Sequence, residues 1–165
     1  MTAPPIPLLT DRAALERFRA RALGAPALFL HEDAADDVQE RLSEVNRRFT
    51  APAVVTPFAQ VWEGRLPGAR IVADTPVLDL EPGAHDLVIH ALGLHWADDP
   101  LGQIIQCRRA LRADGLFLGV TFGGQTLHEL RAAMAEAEAE VTGGLSPRVV
   151  PMGEIRDLGA LVQRA

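Results

Sequence analysis

The 165-residue chain has no lysine and no tyrosine, and cysteine occurs once. Its 16 basic residues are therefore all arginine, set against 22 acidic residues for a formal net charge of −6. Without lysine there is no Schiff-base nucleophile and no ammonium contact to a phosphate. The acidic balance, with no basic stripe, argues against a nucleic-acid partner. A lone cysteine excludes both a disulfide framework and a thiolate metal site. Cys107 reads as a small buried hydrophobe rather than a reactive thiol. No apolar run approaches the roughly 20 residues of a membrane span. The opening residues show neither an apolar signal core nor an acid-free transit pattern, so a reducing cytoplasm is the expected location. The five histidines lack HExxH-type spacing, and no metal is expected. A Ser/His/Asp pattern, a P-loop and a GxGxxG fingerprint are absent as well.

What is present is an ordinary globular composition, 48% hydrophobic and 23% charged, enough for one core. The most informative stretch runs from His85 to Gly124. Leu87 to Leu92 is apolar except for His90, too continuous for a half-exposed strand, and predicts a strand covered on both faces. His90 is expected to be a core histidine bonded to a neighbour. Asp99 can cap a helix with Pro100 in its first turn, Leu101, Ile104, Ile105 and Leu111 along one face, and Arg108, Arg109 and Arg112 near its end. Asp114-Gly115 then turns the chain into a second strand over Leu116 to Phe122. Strand, helix, strand is a right-handed βαβ unit, which makes the class α/β. Ligands of such sheets sit beyond the carboxyl ends of the strands. Here those ends are Gly93 to Trp96 and Phe122 to Gly124.

Around this unit, Met1 to Leu9 reads as an extended arm. A helix follows from a Thr10 or Asp11 cap to about Leu23, and a second runs from about Asp33 to Phe49, with Val38, Leu42, Val45 and Phe49 on one face. Residues 1–50 thus form an arm and helical cap, and 51–165 the core. The core opens at Ala53-Val54-Val55, with a helix expected from Phe58 to Leu66 and a short strand at Arg70 to Asp74. Thr126 and Glu129 suggest a capping box for a helix through Val141, with Leu127, Leu130, Met134, Ala137 and Val141 as its buried stripe. A last amphipathic helix carries Met152, Ile155, Leu158 and Val162.

Four short motifs in order make a resemblance specific: Leu94-His95-Trp96, Gly123-Gly124-Gln125-Thr126-Leu127-x-Glu129-Leu130-Arg131, Gly143-Gly144-x-Ser146-Pro147 and Asp157-Leu158-Gly159. On these, Ile71 to Ala165 resembles the second half of a class I S-adenosylmethionine-dependent methyltransferase. It is most similar to the methyltransferase-like assembly factors of respiratory complex I, and more distantly to the malonyl-carrier-protein methyltransferases of biotin synthesis. The resemblance implies a Rossmann-like α/β sandwich preceded by two helices, with S-adenosylmethionine as cofactor. It is expected to be truncated, short by one βα unit in the cofactor half and by the last two strands. That leaves an unpaired sheet edge where a second copy or another partner could add, or the chain is a fragment of a longer protein.

The resemblance places Asp74, Ala91, Leu92 and His95 against the cofactor, with Thr56 as a weak hydroxyl substitute. Trp96, Gly123 and Gly124 fall on the substrate side. No catalytic residue is assigned beyond His95 as a weak candidate for a base. The sequence departs from the family after its first strand. The family has an acidic, glycine-rich turn of the D-x-G-x-G-x-G kind there, and this chain has Thr56-Pro57-Phe58-Ala59-Gln60. Pro57 removes an amide and Phe58 adds bulk. Asp74 itself admits two readings. It stands 19 positions after Val55, near the distance of a ribose-binding acid after a second strand. It also stands 12 residues before Asp86, matching the family's later Ala-Asp beside the adenine, which is the preferred reading. Two functions follow: methyl transfer from S-adenosylmethionine to an unknown acceptor, or a non-catalytic relative, a pseudoenzyme serving as a binding or assembly factor.

Overall fold

A computed structural model describes residues 8–165. The arm expected over Met1 to Leu9 lies outside them except for Leu8 and Leu9, both exposed. The described residues divide into two compact units, residues 8–121 with the terminal pair Arg164–Ala165, and residues 122–163.

The first unit is built on four strands: β1 (Pro52–Val55), β2 (Arg70–Val72), β3 (His85–Ala91) and β4 (Leu111–Val120). They form one wholly parallel sheet in the order β2-β1-β3-β4. Every residue of β1 and β3 is buried, as the unbroken apolar runs predict. The strand period sorts them onto two faces. Val54, Leu87, Ile89 and Ala91 join Ala35, Val38 and Trp62 on one face, under α2 (Phe29–Glu44). Ala53, Val55 and Val88 join Cys107 and Ala110 on the other, under α3 (Pro100–Ala110). The remaining helix of this unit is α1 (Arg12–Ala22), capped by Asp11, whose carboxylate accepts from the Ala14 amide at 2.9 Å.

The βαβ expectation is met, with differences that have physical causes. Asp99 caps α3 by accepting from Gly102 N at 2.8 Å, and Pro100 occupies the first turn. The buried face of α3 is Gln103, Ile104, Cys107 and Ala110, rotated from the apolar stripe expected from spacing. Gln103 turns inward because its carbonyl accepts from His90 and its amide donates to Thr75 O. β4 starts at Leu111 rather than Leu116, with a register shift that Asp114, at φ 62°, absorbs. The helix expected from Phe58 to Leu66 is reduced to one 3-10 turn, Ala59–Val61, so no helix crosses from β1 to β2. Helix α2 begins before Asp33 and ends at Glu44, where Val45 turns extended and leaves Phe49 beyond it.

The second unit holds α4 (His128–Thr142) and α5 (Ile155–Arg164). The capping box does not form. Leu127, at φ 58°, precedes α4 without a side-chain cap, and the Thr126 hydroxyl donates instead to Gly123 O at 2.7 Å. Neither helix has a buried residue, so the expected stripe of Leu127, Leu130, Met134, Ala137 and Val141 stands exposed. Among the described residues no helix is long and apolar enough to cross a membrane, and no cluster of His, Cys, Asp and Glu could hold a metal ion.

Asp86 ties the start of β1 to β3. It accepts from Thr50 N at 2.6 Å, the Thr50 hydroxyl at 2.9 Å and Ala51 N at 3.0 Å. Burial alone would raise its pKa, but these donors outweigh it and hold the carboxyl below the usual range. Asp86→Ala should cost about 2–3 kcal/mol of unfolding free energy in a urea titration. Because the folded pKa is depressed, that contribution is present above the ordinary aspartate pKa and fades as the pH falls below it.

Candidate functional site

The carboxyl ends of β1, β2 and β3 converge on one mouth. After β2, Ala73 leads to Asp74, whose side chain is 4% exposed. After β3, Leu92 at φ 49° continues the ladder, its amide donating to Val120 O at 2.8 Å. Gly93 then opens a single 3-10 turn, Leu94–Trp96. Gly93 is where the two segments meet most closely. A Cβ there would lie 2.8 Å from Asp74 Oδ2 and 2.9 Å from Asp74 Cβ, so only a glycine lets the carboxylate rest on this backbone.

A buried carboxylate needs a partner of opposite charge. Asp74 finds it in Arg19 of α1, whose Nη1 donates to Oδ1 and Nη2 to Oδ2, both at 2.8 Å. This is a two-pronged ion pair, the strong geometry for arginine and carboxylate. Arg12, two helical turns earlier, donates to Asp74 O at 2.9 Å and to Trp96 O at 3.5 Å. Around the pair stand His31 and His95. Burial lowers the pKa of His31, and the Arg19 charge lowers it further against the opposing pull of Asp74. His95 is pushed down to about 4, first by burial and then by Arg19. Its Nδ1 lies 3.4 Å from the Thr121 hydroxyl, and its ring stands 5.3 Å from that of Trp96. A histidine with a pKa near 4 is neutral at pH 7. It accepts hydrogen bonds there but is a weak base.

The first-strand turn is closed. Thr56 N donates to Val72 O at 3.0 Å, Pro57 has no amide, and Phe58 N donates to the Thr56 hydroxyl at 3.2 Å. The Phe58 ring packs edge-on against His31 at 4.7 Å, and Trp62 is buried beneath.

Of the residues expected at the cofactor, Asp74, Ala91, Leu92, His95 and Thr56 all lie at these strand ends, with Trp96 exposed beside His95. Gly123 and Gly124 belong to the second unit. There Gly124 N donates to Gly153 O at 2.8 Å, and Gly123 lies against Leu158. Sequence reasoning passed over Arg12 and Arg19. Their spacing of seven in an arginine-rich helix put them on one face, which was a readable signal, but the face they meet is more than 50 residues away in the chain.

The residues present fit S-adenosylmethionine in part only. A buried acid stands at the strand ends, as a nucleoside needs. The Thr56–Phe58 turn offers neither a glycine nor an amide free of an internal partner for the methionine end, and Arg19 holds the acid itself.

Comparison with known proteins agrees with this fold. No protein-family model matches the chain. It is 40% identical over 121 residues to the human mitochondrial arginine-hydroxylase NDUFAF5, covering 73% of this chain and 35% of that protein. The NDUFAF5 arginine-hydroxylase of Danio rerio is 37% identical, with 78% and 40% covered. A malonyl-[acyl-carrier protein] O-methyltransferase of Laribacter hongkongensis is 40% identical over 67 residues, with 41% and 23% covered. The chain thus spans well under half the length of these relatives. Among solved structures, a SAM-dependent methyltransferase of Thermotoga maritima superposes with a TM-score of 0.53 at 14% identity, covering 89% of this chain and 78% of that one. A complex between the Haloferax volcanii Trm112 methyltransferase activator and a methyltransferase gives 0.58 at 10% identity, with 94% and 75% covered. At those identities the likeness concerns the fold.

His95 should titrate in an NMR experiment with a midpoint about 4. Arg19→Ala should raise that midpoint, by removing a cation and freeing Asp74 to stabilise the imidazolium. An unchanged midpoint would mean that Arg19 does not face His95.

Proposed function

We propose that this chain, methyltransferase-like in both sequence and fold, binds the nucleoside end of S-adenosylmethionine at the carboxyl ends of β1, β2 and β3, with Asp74 as the anchoring acid. The observation that carries the reading is the Asp74 carboxylate, buried at the strand ends against a glycine that leaves it room. A carboxylate at that place suits a pair of ribose hydroxyls or an adenine amine, each a donor. Ala91 and Leu92 supply the apolar floor, and neutral His95 with exposed Trp96 forms the side from which a methyl acceptor would approach. The relatives similar to this chain in sequence are named for arginine hydroxylation as well as for O-methyl transfer. The ligand site, not the fold, therefore carries the reading.

A second reading has its own support. The consumed amides and the bulk of Pro57 and Phe58 in the first-strand turn favour a methyltransferase-fold protein that acts as a binding or assembly factor without catalysis. β4 pairs on one side only among the described strands, which offers such a partner, or a second copy, an edge to extend. Buried Cys107, its thiol pushed up to about 12 by burial, is compatible with a reducing or an oxidising compartment alike.

Calorimetric titration of S-adenosylmethionine and S-adenosylhomocysteine separates the two. The first reading predicts saturable binding in the micromolar range, about −8 kcal/mol, lost by at least about tenfold in Asp74→Ala. No heat and no thermal shift at millimolar ligand would reject it in favour of the second.

A further inference from the structure

We propose that helix α1 is a displaceable strap: it docks across the ends of β2 and β3 mainly through polar clamps, with Leu15 its one buried apolar side chain, and a ligand reaches Asp74 only when Arg19 leaves. This inference rests on the reading of Asp74 as a ligand anchor. Three clamps hold the strap. Arg19 occupies both carboxylate oxygens of Asp74. Arg12 holds the main-chain carbonyls of Asp74 and Trp96. Asp98, just past the turn after β3, accepts from Leu9 N at 2.6 Å and Thr10 N at 2.9 Å. Every one of these contacts is made to the rim of the mouth.

The apolar contribution is small by comparison. Leu15 is the only buried residue of α1, while Phe18 is 60% exposed and Leu23, at its end, 51%. A helix docked on a full stripe would bury several such side chains, each worth about 1.5–3 kcal/mol. The link to α2 is built for movement without cost to the core. Residues 23–27 include Gly24 and Pro26 and are exposed throughout. A helix held by charge and pivoting on an exposed link exchanges one partner for another more readily than one sealed by packing. A ligand that takes the Asp74 oxygens removes the central clamp. Conversely, the docked strap lowers apparent ligand affinity by the fraction of molecules that are closed.

The test combines titration with amide exchange on the full chain, using S-adenosylhomocysteine as probe. Arg19→Ala should bind it at least about tenfold more tightly than the parent chain. In the parent, saturating probe should accelerate exchange of the α1 amides while β3 stays protected. Without any ligand, the α1 amides should exchange faster in Arg19→Ala than in the parent while β3 stays protected. Arg12→Ala leaves the ion pair intact and weakens a second clamp, and it should tighten binding to a smaller degree. It serves where Arg19→Ala lowers protection of the core. Equal affinity in parent and variants, or α1 amides slowed by the probe, would overturn the strap and leave the ligand site standing. An absence of binding in every variant would overturn the ligand site and the strap together.

Discussion

A carboxylate placed at the buried end of a parallel sheet must be neutralised, and the way Asp74 meets that constraint shapes the whole mouth of this fold. The strand ends supply apolar side chains, a glycine and carbonyls already engaged in the ladder, none of them a cation. The charge comes from Arg19, some 55 residues earlier, and bringing it there fixes α1 across the site. Burial first, and then the same guanidinium, lowers the pKa of both neighbouring histidines, His31 and His95. Removing either partner would leave the other charge stranded in a poorly solvated place.

The sheet explains why a ligand is expected here and why the arrangement departs from what a methyl donor needs. Parallel strands open a crevice beyond their carboxyl ends, and the first turn ordinarily presents free amides to it. In this chain the amides at Thr56 and Phe58 close back on Val72 and on the Thr56 hydroxyl. The turn is internally satisfied. Beside it stands the Asp74 carboxylate, covered by a helix that the chain itself supplies. The fold is shared with solved methyltransferases, and the fold alone does not set the chemistry at its mouth.

The strand-helix-strand core was legible because each signal was local or strongly periodic. The apolar run of β3 and the Asp99-Pro100 start of α3 appear where spacing puts them, whereas Asp114-Gly115 forms an irregularity inside β4 rather than a turn before it. The burial of His90 with a hydrogen-bonded partner was legible too, although the identity of Gln103 was not. Other elements depended on tertiary contacts that periodicity does not carry. Phe58 to Leu66 has helical spacing, yet Trp62 is drawn into the core and the segment stops at one 3-10 turn. The Thr126–Glu129 pair has capping-box spacing, but the Thr126 hydroxyl bonds backward to Gly123 O. Asp74 was found from its position after a strand. Arg19 was not, since an ion pair across so long a separation leaves no mark on either local pattern.

The most direct measurement is a double-mutant cycle on this pair, comparing Arg19→Ala, Asp74→Ala and the double variant by urea unfolding. The account predicts that each single change destabilises and that the double change costs clearly less than their sum, with a coupling above about 1 kcal/mol. Costs that add to within about 0.5 kcal/mol would show that Arg19 and Asp74 do not meet in the folded protein, and the closed mouth would fall with them.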